Sequence, residues 1–198
     1  MFDIDFECRL GKQFFARDTE VVAKELLGKW VIYTSSQGVT GGIIVETEAY
    51  LGLEDPACHS ARGCTARTKV MFGPAGKIYV YLIYGMYYCL NVTTAEPEKP
   101  EAVLIRAIEP KLGLELMQKR RNRSKLKELC SGPGKMAQAM GIDKSLNGCS
   151  AIDGPIAFYK KQSDYPINII TTTRIGISQA ANWPLRYYIK GNKYISKP

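Results

Sequence analysis

The sequence predicts an α+β fold: a single compact mixed domain with a curved, mostly antiparallel β-sheet core, surrounding helices and a protruding β-hairpin. Three observations carry this expectation. The chain has 198 residues, enough for one large domain or at most two small ones, and it shows no repeat, low-complexity tract or clear linker. Strand-like runs and helical stretches are interleaved along its length, which one mixed domain accounts for most simply. Finally, residues 79–91 read as two β-runs meeting at Tyr84-Gly85-Met86, because β-branched and aromatic residues dominate both sides and glycine supplies the turn.

Composition limits the function classes. Hydrophobic residues make up 45% and charged residues 23%, so a sizeable core forms and disorder is not expected. There are 27 Lys and Arg against 19 Asp and Glu, a net charge of +8, which suits a polyanionic partner. Six cysteines (Cys8, Cys58, Cys64, Cys89, Cys130, Cys149) form no C-x-x-C pair. The acidic start Met1-Phe2-Asp3-Ile4-Asp5 is no secretory signal, so these cysteines are expected to be reduced thiols. Cys58-His59 with Cys64 lacks the second close pair that a structural zinc site needs, so no metal is expected. No stretch approaches about eighteen apolar residues, and no membrane span is expected.

In chain order, Asp18 or Thr19 can cap a helix through Leu27, with Val21, Val22, Leu26 and Leu27 on one face and Gly28 ending it. Residues 30–33 read as a strand and 38–42 as a glycine-rich turn. Residues 42–50 form a strand whose alternation places Ile44, Glu46, Glu48 and Tyr50 on one face and Val45, Thr47 and Ala49 on the other. Two carboxylates and a tyrosine are an unusual core surface. Residues 52–63 hold a loop with the single histidine, His59, and Arg62, Arg67 and Lys69 follow without intervening acid. The hairpin contains five of the twelve tyrosines. Its rings either point into a core or, at the tip, present Tyr84, Met86 and Tyr87 to another molecule, as an amphipathic ring can.

Residues 94–100 are a polar connector, and 102–108 a strand interrupted by Arg106. Pro110 begins the exit into a helix from about Leu112 to Arg121. Its end, Lys119-Arg120-Arg121, with Arg123, Lys125 and Lys127 beyond, is either a solvated face or a phosphate contact. Ser131-Gly132-Pro133-Gly134-Lys135 introduces a helix to about Met140, whose free N–H groups beside Lys135 could hold a phosphate. It lacks the P-loop spacing. Residues 152–159, 167–177 and 185–189 read as short strands.

One histidine restricts the chemistry. No Gly-x-Ser-x-Gly elbow accompanies it, and no G-x-G-x-x-G follows a strand. What remains is Glu46 or Glu48 on a packed strand, Arg106 within an apolar strand, His59 and the tyrosines. Such a carboxylate can act as general base toward water, with an arginine fixing its ionised state. Equally, it can form a buried pair with Arg106 that satisfies only itself. Spacing does not choose between Glu46 and Glu48.

Val45-Glu46-Thr47-Glu48-Ala49-Tyr50, followed by Asp55-x3-His59-Ser60, resembles the alkyladenine (3-methyladenine) DNA glycosylase family of the mammalian type. So do Met71-Phe72-Gly73-Pro74 leading into Tyr79-Val80-Tyr81-Leu82-Ile83-Tyr84-Gly85-Met86, Leu104-Ile105-Arg106-Ala107-Ile108-Glu109-Pro110, Leu129-Cys130-Ser131-Gly132-Pro133-Gly134-Lys135 and Arg174-Ile175-Gly176-Ile177. These motifs occur in the family's order, from about Phe14 to Ile189. Departures are Ala61-Arg62-Gly63-Cys64 after His59-Ser60, Thr68 where asparagine is common, and residues 179–183.

The resemblance implies a monofunctional glycosylase that flips an alkylated purine from double-stranded DNA and hydrolyses its N-glycosidic bond, leaving an abasic site. It implies Glu48 as the base that activates water, Arg106 as the arginine holding both, and the Ile175 carbonyl as a further contact to that water. Tyr50, His59, Tyr81 and Asn91 would surround the flipped base. Tyr84, with Met86 beside it, would be the wedge in the duplex. Arg67, Lys69, Lys135 and Arg174 are the expected phosphate contacts. No cofactor is expected. The partner would be duplex DNA carrying alkylated or deaminated purines, including 3-methyladenine and 7-methylguanine, with hypoxanthine and ethenoadenine as further candidates. A monomer is expected, cytoplasmic with the nucleoid in a bacterium and nuclear in a eukaryote. Two other classes stay open: a non-catalytic nucleic-acid-binding domain using the hairpin as a stacking platform, and a hydrolase or transferase of small purine nucleosides.

Overall fold

In the computed structural model, residues 7–96, 98–161 and 166–198 are described; the acidic start at residues 1–5 lies outside them. Two short helices open the chain, α1 (Lys12–Phe15) and α2 (Thr19–Glu25). Asp18 is the cap of α2, its side chain accepting from the Val21 N–H, which satisfies a donor that no helical carbonyl can reach. Thr19 instead turns inward to Thr94. Strands β1 (Trp30–Ser35), β2 (Gly38–Tyr50), β3 (Ile78–Ile83), β4 (Tyr87–Thr94) and β5 (Glu101–Leu112) follow. Then come helices α3 (Leu114–Arg121), α4 (Leu126–Leu129) and α5 (Pro133–Met140), and strands β6 (Ile156–Tyr159), β7 (Ile169–Thr172) and β8 (Arg186–Ile189).

The strands form one eight-stranded sheet in the order β3-β4-β5-β2-β1-β6, with every pairing antiparallel and β8 joined to both β2 and β7. The long strand β2 organises it. Its first half pairs with β1 and its second half with β8, while β5 runs along its other edge. The expected glycine turn at residues 38–42 is therefore strand. Gly42 is needed there because a Cβ would collide with the Glu109 carbonyl of β5. Strand β5 likewise runs through Pro110 to Leu112 rather than leaving the sheet. Strand β4 covers only Glu101–Leu104 of β5, and residues 130–131 bond it at Ala107 and Ile108, so at Pro110 the far side of β5 is an edge, where proline's missing N–H costs no ladder bond.

Besides a register shift between Gly41 and Gly42, two opposed bulges break the β2–β5 ladder. Ile44 pairs with Ile108 and Glu46 with Ala107, skipping Val45; Thr47 then pairs with Ile105, skipping Arg106. Strict alternation across residues 42–50 is thereby lost. Ile44 and Ala49 join the main core, Thr47 bonds the Ala23 carbonyl of α2, and Val45 packs in a separate cluster with Ala107 and Tyr194. Ile44 thus leaves the face it was expected to share with Glu46 and Glu48. The main core gathers Val22 and Ala23 of α2 with its C-cap Leu26, Met136, Ala137 and Met140 of α5, and the sheet residues Ile78, Val80, Leu90, Val92, Val103 and Ile105. The alternate residues of those strands, Tyr79, Tyr81, Cys89, Asn91, Leu104 and Arg106, line a cavity on the other side.

Candidate active site

The cavity has a volume of about 350 Å³ and its wall is largely aromatic, with Tyr50, His59, Tyr79, Tyr81, Tyr84 and Tyr87 contributing. Strand alternation puts Tyr79 and Tyr81 on the same face of β3 and Cys89 and Asn91 opposite them on β4. Tyr50 enters from the end of β2, and His59 from a single-turn 3₁₀ helix, His59–Arg62. Pro133 and Gly134, at the start of α5, close one side, and Ile175 and Gly176 another.

Glu48 lies immediately beneath this wall. It is fully buried, and each of the three groups that hold it lines the cavity. The Ile175 N–H donates to Glu48 Oε1 at 2.8 Å, the Tyr50 hydroxyl donates to Oε2 at 2.9 Å, and an Arg106 terminal nitrogen stands 3.2 Å from Oε1. An ionised carboxylate offers about four acceptor sites, so three donors leave room for a water. Burial raises the Glu48 pKa above the usual carboxylate value, opposed by Arg106, the Ile175 amide and the Tyr50 hydroxyl. Burial and Glu48 hold the Tyr50 phenol well above its ordinary value, so Tyr50 remains a donor.

Glu46, two residues earlier and also fully buried, is differently placed. Its Oε1 accepts from Arg106 Nε (3.1 Å), Arg186 Nε (2.7 Å) and the Ser196 hydroxyl (2.8 Å), and its Oε2 from the Ser196 N–H (2.6 Å). Four donors occupy its acceptor capacity, and of its partners only Arg106 lines the cavity. The bulge at Arg106 lets one guanidinium serve both acids, Nε toward Glu46 and a terminal nitrogen toward Glu48. Sequence spacing left the two glutamates equivalent; their partners separate them.

His59 is neutral. Its Nε2 lies 3.4 Å from an Arg67 nitrogen and its Nδ1 3.0 Å from the Tyr79 hydroxyl. Arginine only donates, so Nε2 accepts and the proton sits on Nδ1. Burial and the Arg67 charge push the His59 pKa down to about 4. The His59 ring meets Tyr81 edge-on at 4.4 Å, and Arg67 covers the Tyr81 ring at 5.2 Å. Asn91 is buried and donates to the Tyr79 carbonyl. Cys58 and Cys89 complete the lining; burial raises both thiols, Cys89 to about 11.

The structure brings together Glu48, Arg106, Ile175, Tyr50, His59, Tyr81, Asn91 and Tyr84. At the hairpin tip, Tyr84 and Gly85 both have positive φ, 53° and 69°, the twist favoured in tight hairpins. Tyr84 is 78% and Met86 65% exposed. Tyr84 faces the cavity mouth, whereas Met86 borders a second groove on the hairpin's other side with Arg120 and Gln138. Lys69 and Lys135 are exposed, Lys135 beside the wall residues of α5. Arg174 is a correction. Its guanidinium is buried, forks onto both Asp55 oxygens and donates to the Ala49 carbonyl, lying over the Tyr50 ring at 4.7 Å. It fastens the Asp55 loop to β2 and backs Tyr50, with no open face for a phosphate. The sequence reading missed Tyr79, although its two-residue spacing from Tyr81 was a signal. It gave no role to Asp55, although it stood in the quoted motif, and it missed Arg186 and Ser196, for which no local signal exists.

Among the described residues no group of His, Cys, Asp and Glu could hold a metal ion, and no lysine lines the cavity.

The family described as Methylpurine-DNA glycosylase (MPG) matches residues 13–193. A protein of Methanoculleus marisnigri, provisionally named a 3-methyladenine DNA glycosylase, is 51% identical over 191 residues, 95% of this chain and 98% of that protein. Proteins with the same provisional name from Carboxydothermus hydrogenoformans and Legionella pneumophila (strain Corby) are each 46% identical, covering 95% and 96% of this chain and 98% of their own lengths. A match of that length and identity leaves one assignment: the chain belongs to the methylpurine-DNA glycosylase family.

Proposed function

We propose that this chain, a monofunctional DNA repair glycosylase by family, swings alkylated purines out of duplex DNA and hydrolyses their N-glycosidic bond, leaving an abasic site. The observation that carries the reading is the buried Glu48 carboxylate beneath an aromatic cavity whose mouth bears the exposed Tyr84. An enzyme acting on a base must take it out of the stack at a cost of a few kcal/mol, and a side chain inserted in its place offsets part of that cost. Tyr84 fills this role, with Met86 on the far side of the tip.

Inside the cavity the extruded base lies among Tyr50, His59, Tyr81 and Asn91. A methylated purine such as 3-methyladenine or 7-methylguanine carries positive charge, which the tyrosine faces favour by about 0.5–2 kcal/mol. The neutral His59 adds no opposing charge. Glu48 accepts a proton from water as that water attacks the anomeric carbon, the C–N bond breaks, and the purine leaves with the bonding electron pair. Arg106 keeps Glu48 ionised and oriented. With no lysine among the described residues of the wall, water is the nucleophile and the strand is not cleaved. Neutral hypoxanthine and ethenoadenine lack the charge advantage and react more slowly.

The test is base release from duplex DNA containing 7-methylguanine, run beside free 7-methylguanosine. Release from DNA alone supports the proposal. Release from the nucleoside, or tight binding with no release, refutes it.

A further inference from the structure

The Glu46–Arg106–Glu48 array has a fourth side, supplied by residues close to the end of the chain. Tyr194 is buried against Val45 and Ala107, the skipped residue of β2 and the neighbour of the skipped Arg106 on β5. The segment thus caps the double bulge. Beyond Tyr194, Ser196 gives Glu46 two hydrogen bonds, one from its hydroxyl and one from its backbone N–H. Its hydroxyl oxygen also lies 3.5 Å from an Arg106 terminal nitrogen. The Lys197 carbonyl accepts from Arg186, the other arginine on Glu46. Among the described residues, the Ser196 N–H is the one donor to Glu46 Oε2.

We propose that residues 194–197 form a positioning element for catalysis: Ser196 fixes the Glu46 carboxylate, and Glu46 in turn sets the rotation of the Arg106 guanidinium that faces Glu48. This rests on Glu48 being the base of the proposed reaction. A carboxylate at the end of a glutamate side chain turns broadly about its last bond. Arg106 Nε follows the Glu46 oxygen it donates to, and the opposite edge of that planar group carries the nitrogen facing Glu48. Two donors from Ser196 remove the freedom of the carboxylate and so that of the guanidinium. The two acids also compete for one cation. When Glu46 loses the Ser196 donors, Arg106 is drawn toward Glu46 and Glu48 loses part of the interaction that favours its ionised form. The other titratable or charged groups around Glu48 make no contact with Ser196: Tyr50 on β2, Tyr81 on β3, Cys89 on β4, and Arg174; Arg186 on β8 shares Glu46 with Arg106 and is held by the Lys197 carbonyl, so it belongs to the same array.

The experiment compares Ser196→Ala, which removes the hydroxyl, Ser196→Pro, which removes both donors, and Ser196→Thr, which keeps both. Single-turnover release of 7-methylguanine is followed across pH, with lesion-duplex affinity and thermal stability measured in parallel. Misplacing a catalytic group by a fraction of an ångström to an ångström lowers rate by about 10- to 100-fold. The expected order is Thr near wild type, then Ala, with Pro slowest. The acid limb should move to higher pH in the same order, with affinity unchanged. An unshifted acid limb and wild-type rates in Ala and Pro would overturn the proposal, as would losses that follow affinity or are not rescued by Thr. Should Pro fail to fold, Ala against Thr decides. Glu48→Gln serves as the reference. If it is inactive while Ala and Pro behave as wild type, only the positioning proposal falls; if it remains active, the base assignment falls and takes this proposal with it.

Discussion

Glu46 and Glu48 sit about 7 Å apart along one strand, equally buried, and the same amide substitution should damage them in opposite ways. In Glu48→Gln, the side-chain oxygen still accepts from Ile175 and Arg106, and the amide can donate to the Tyr50 oxygen, so the packing survives. What disappears is the proton acceptor. A general base contributes about 10²–10⁴-fold, or about 2.7–5.4 kcal/mol at 1.36 kcal/mol per decade, and single-turnover release should fall by that factor while duplex binding persists. Stability should not fall. Burial dominates and raises the Glu48 pKa; the folded state therefore holds this proton more tightly than the unfolded chain. That contribution is full below the ordinary carboxylate value and is lost as pH rises through the folded one, so a neutral amide is favoured at pH 7–8.

Glu46→Gln meets four donors with a group that is itself half donor. Breaking a buried pair costs about 3–5 kcal/mol. At about 2–4 °C per kcal/mol for a chain of this size, its Tm should drop by about 6–20 °C. Paired measurements of release rate and melting temperature check both halves. A Glu48→Gln enzyme that turns over, beside a folded Glu46→Gln enzyme that does not, would falsify the assignment.

Tyr84→Ser should leave Tm unchanged, because the ring is 78% exposed. Lost stacking of about 1–3 kcal/mol should weaken affinity for lesion duplex by about 5- to 150-fold, and equal affinities in a titration would remove the wedge. The lone histidine gives one set of NMR resonances: its titration should centre near pH 4, and a midpoint near 6.5 would contradict the buried neutral ring. Because that pKa is lowered, its contribution to stability is complete above pH 6.5 and declines as pH falls toward about 4. Arg174→Met breaks the buried fork on Asp55 and should cost about 3–5 kcal/mol, seen as a lower denaturation midpoint. The slope of log affinity against log salt should not change, whereas loss of a phosphate contact would reduce it by about 1.

Much of this was legible in the chain. The hairpin follows from β-branched and aromatic runs around Gly85, and α2 from its Asp18 cap, because both signals are local. Arg106 in an apolar strand and acids at positions 46 and 48 stood out in the sequence, and the structure brings the three together. The bulges were not legible, since a skipped residue leaves no trace in composition; Ile44 accordingly ended in the main core. Arg174 was misread for a related reason. A basic residue near an apolar stretch looks like a surface cation until its partner is known, and Asp55 is 119 residues away. Ser196 lies 150 residues from Glu46, beyond the reach of any local pattern.

The thiols of the cavity bear on how such an enzyme endures the agents that make its substrates. Methylating electrophiles that attack purines also attack sulfur, and they do so through the thiolate. With Cys89 near 11, only about one such thiol in ten thousand is ionised at neutral pH, and Cys58 is raised in the same direction. The low-dielectric wall that readies Glu48 for water therefore keeps neighbouring sulfurs chemically quiet. Exposed Cys64 lies outside that shelter, so methylation by such electrophiles should begin on the periphery rather than in the cavity.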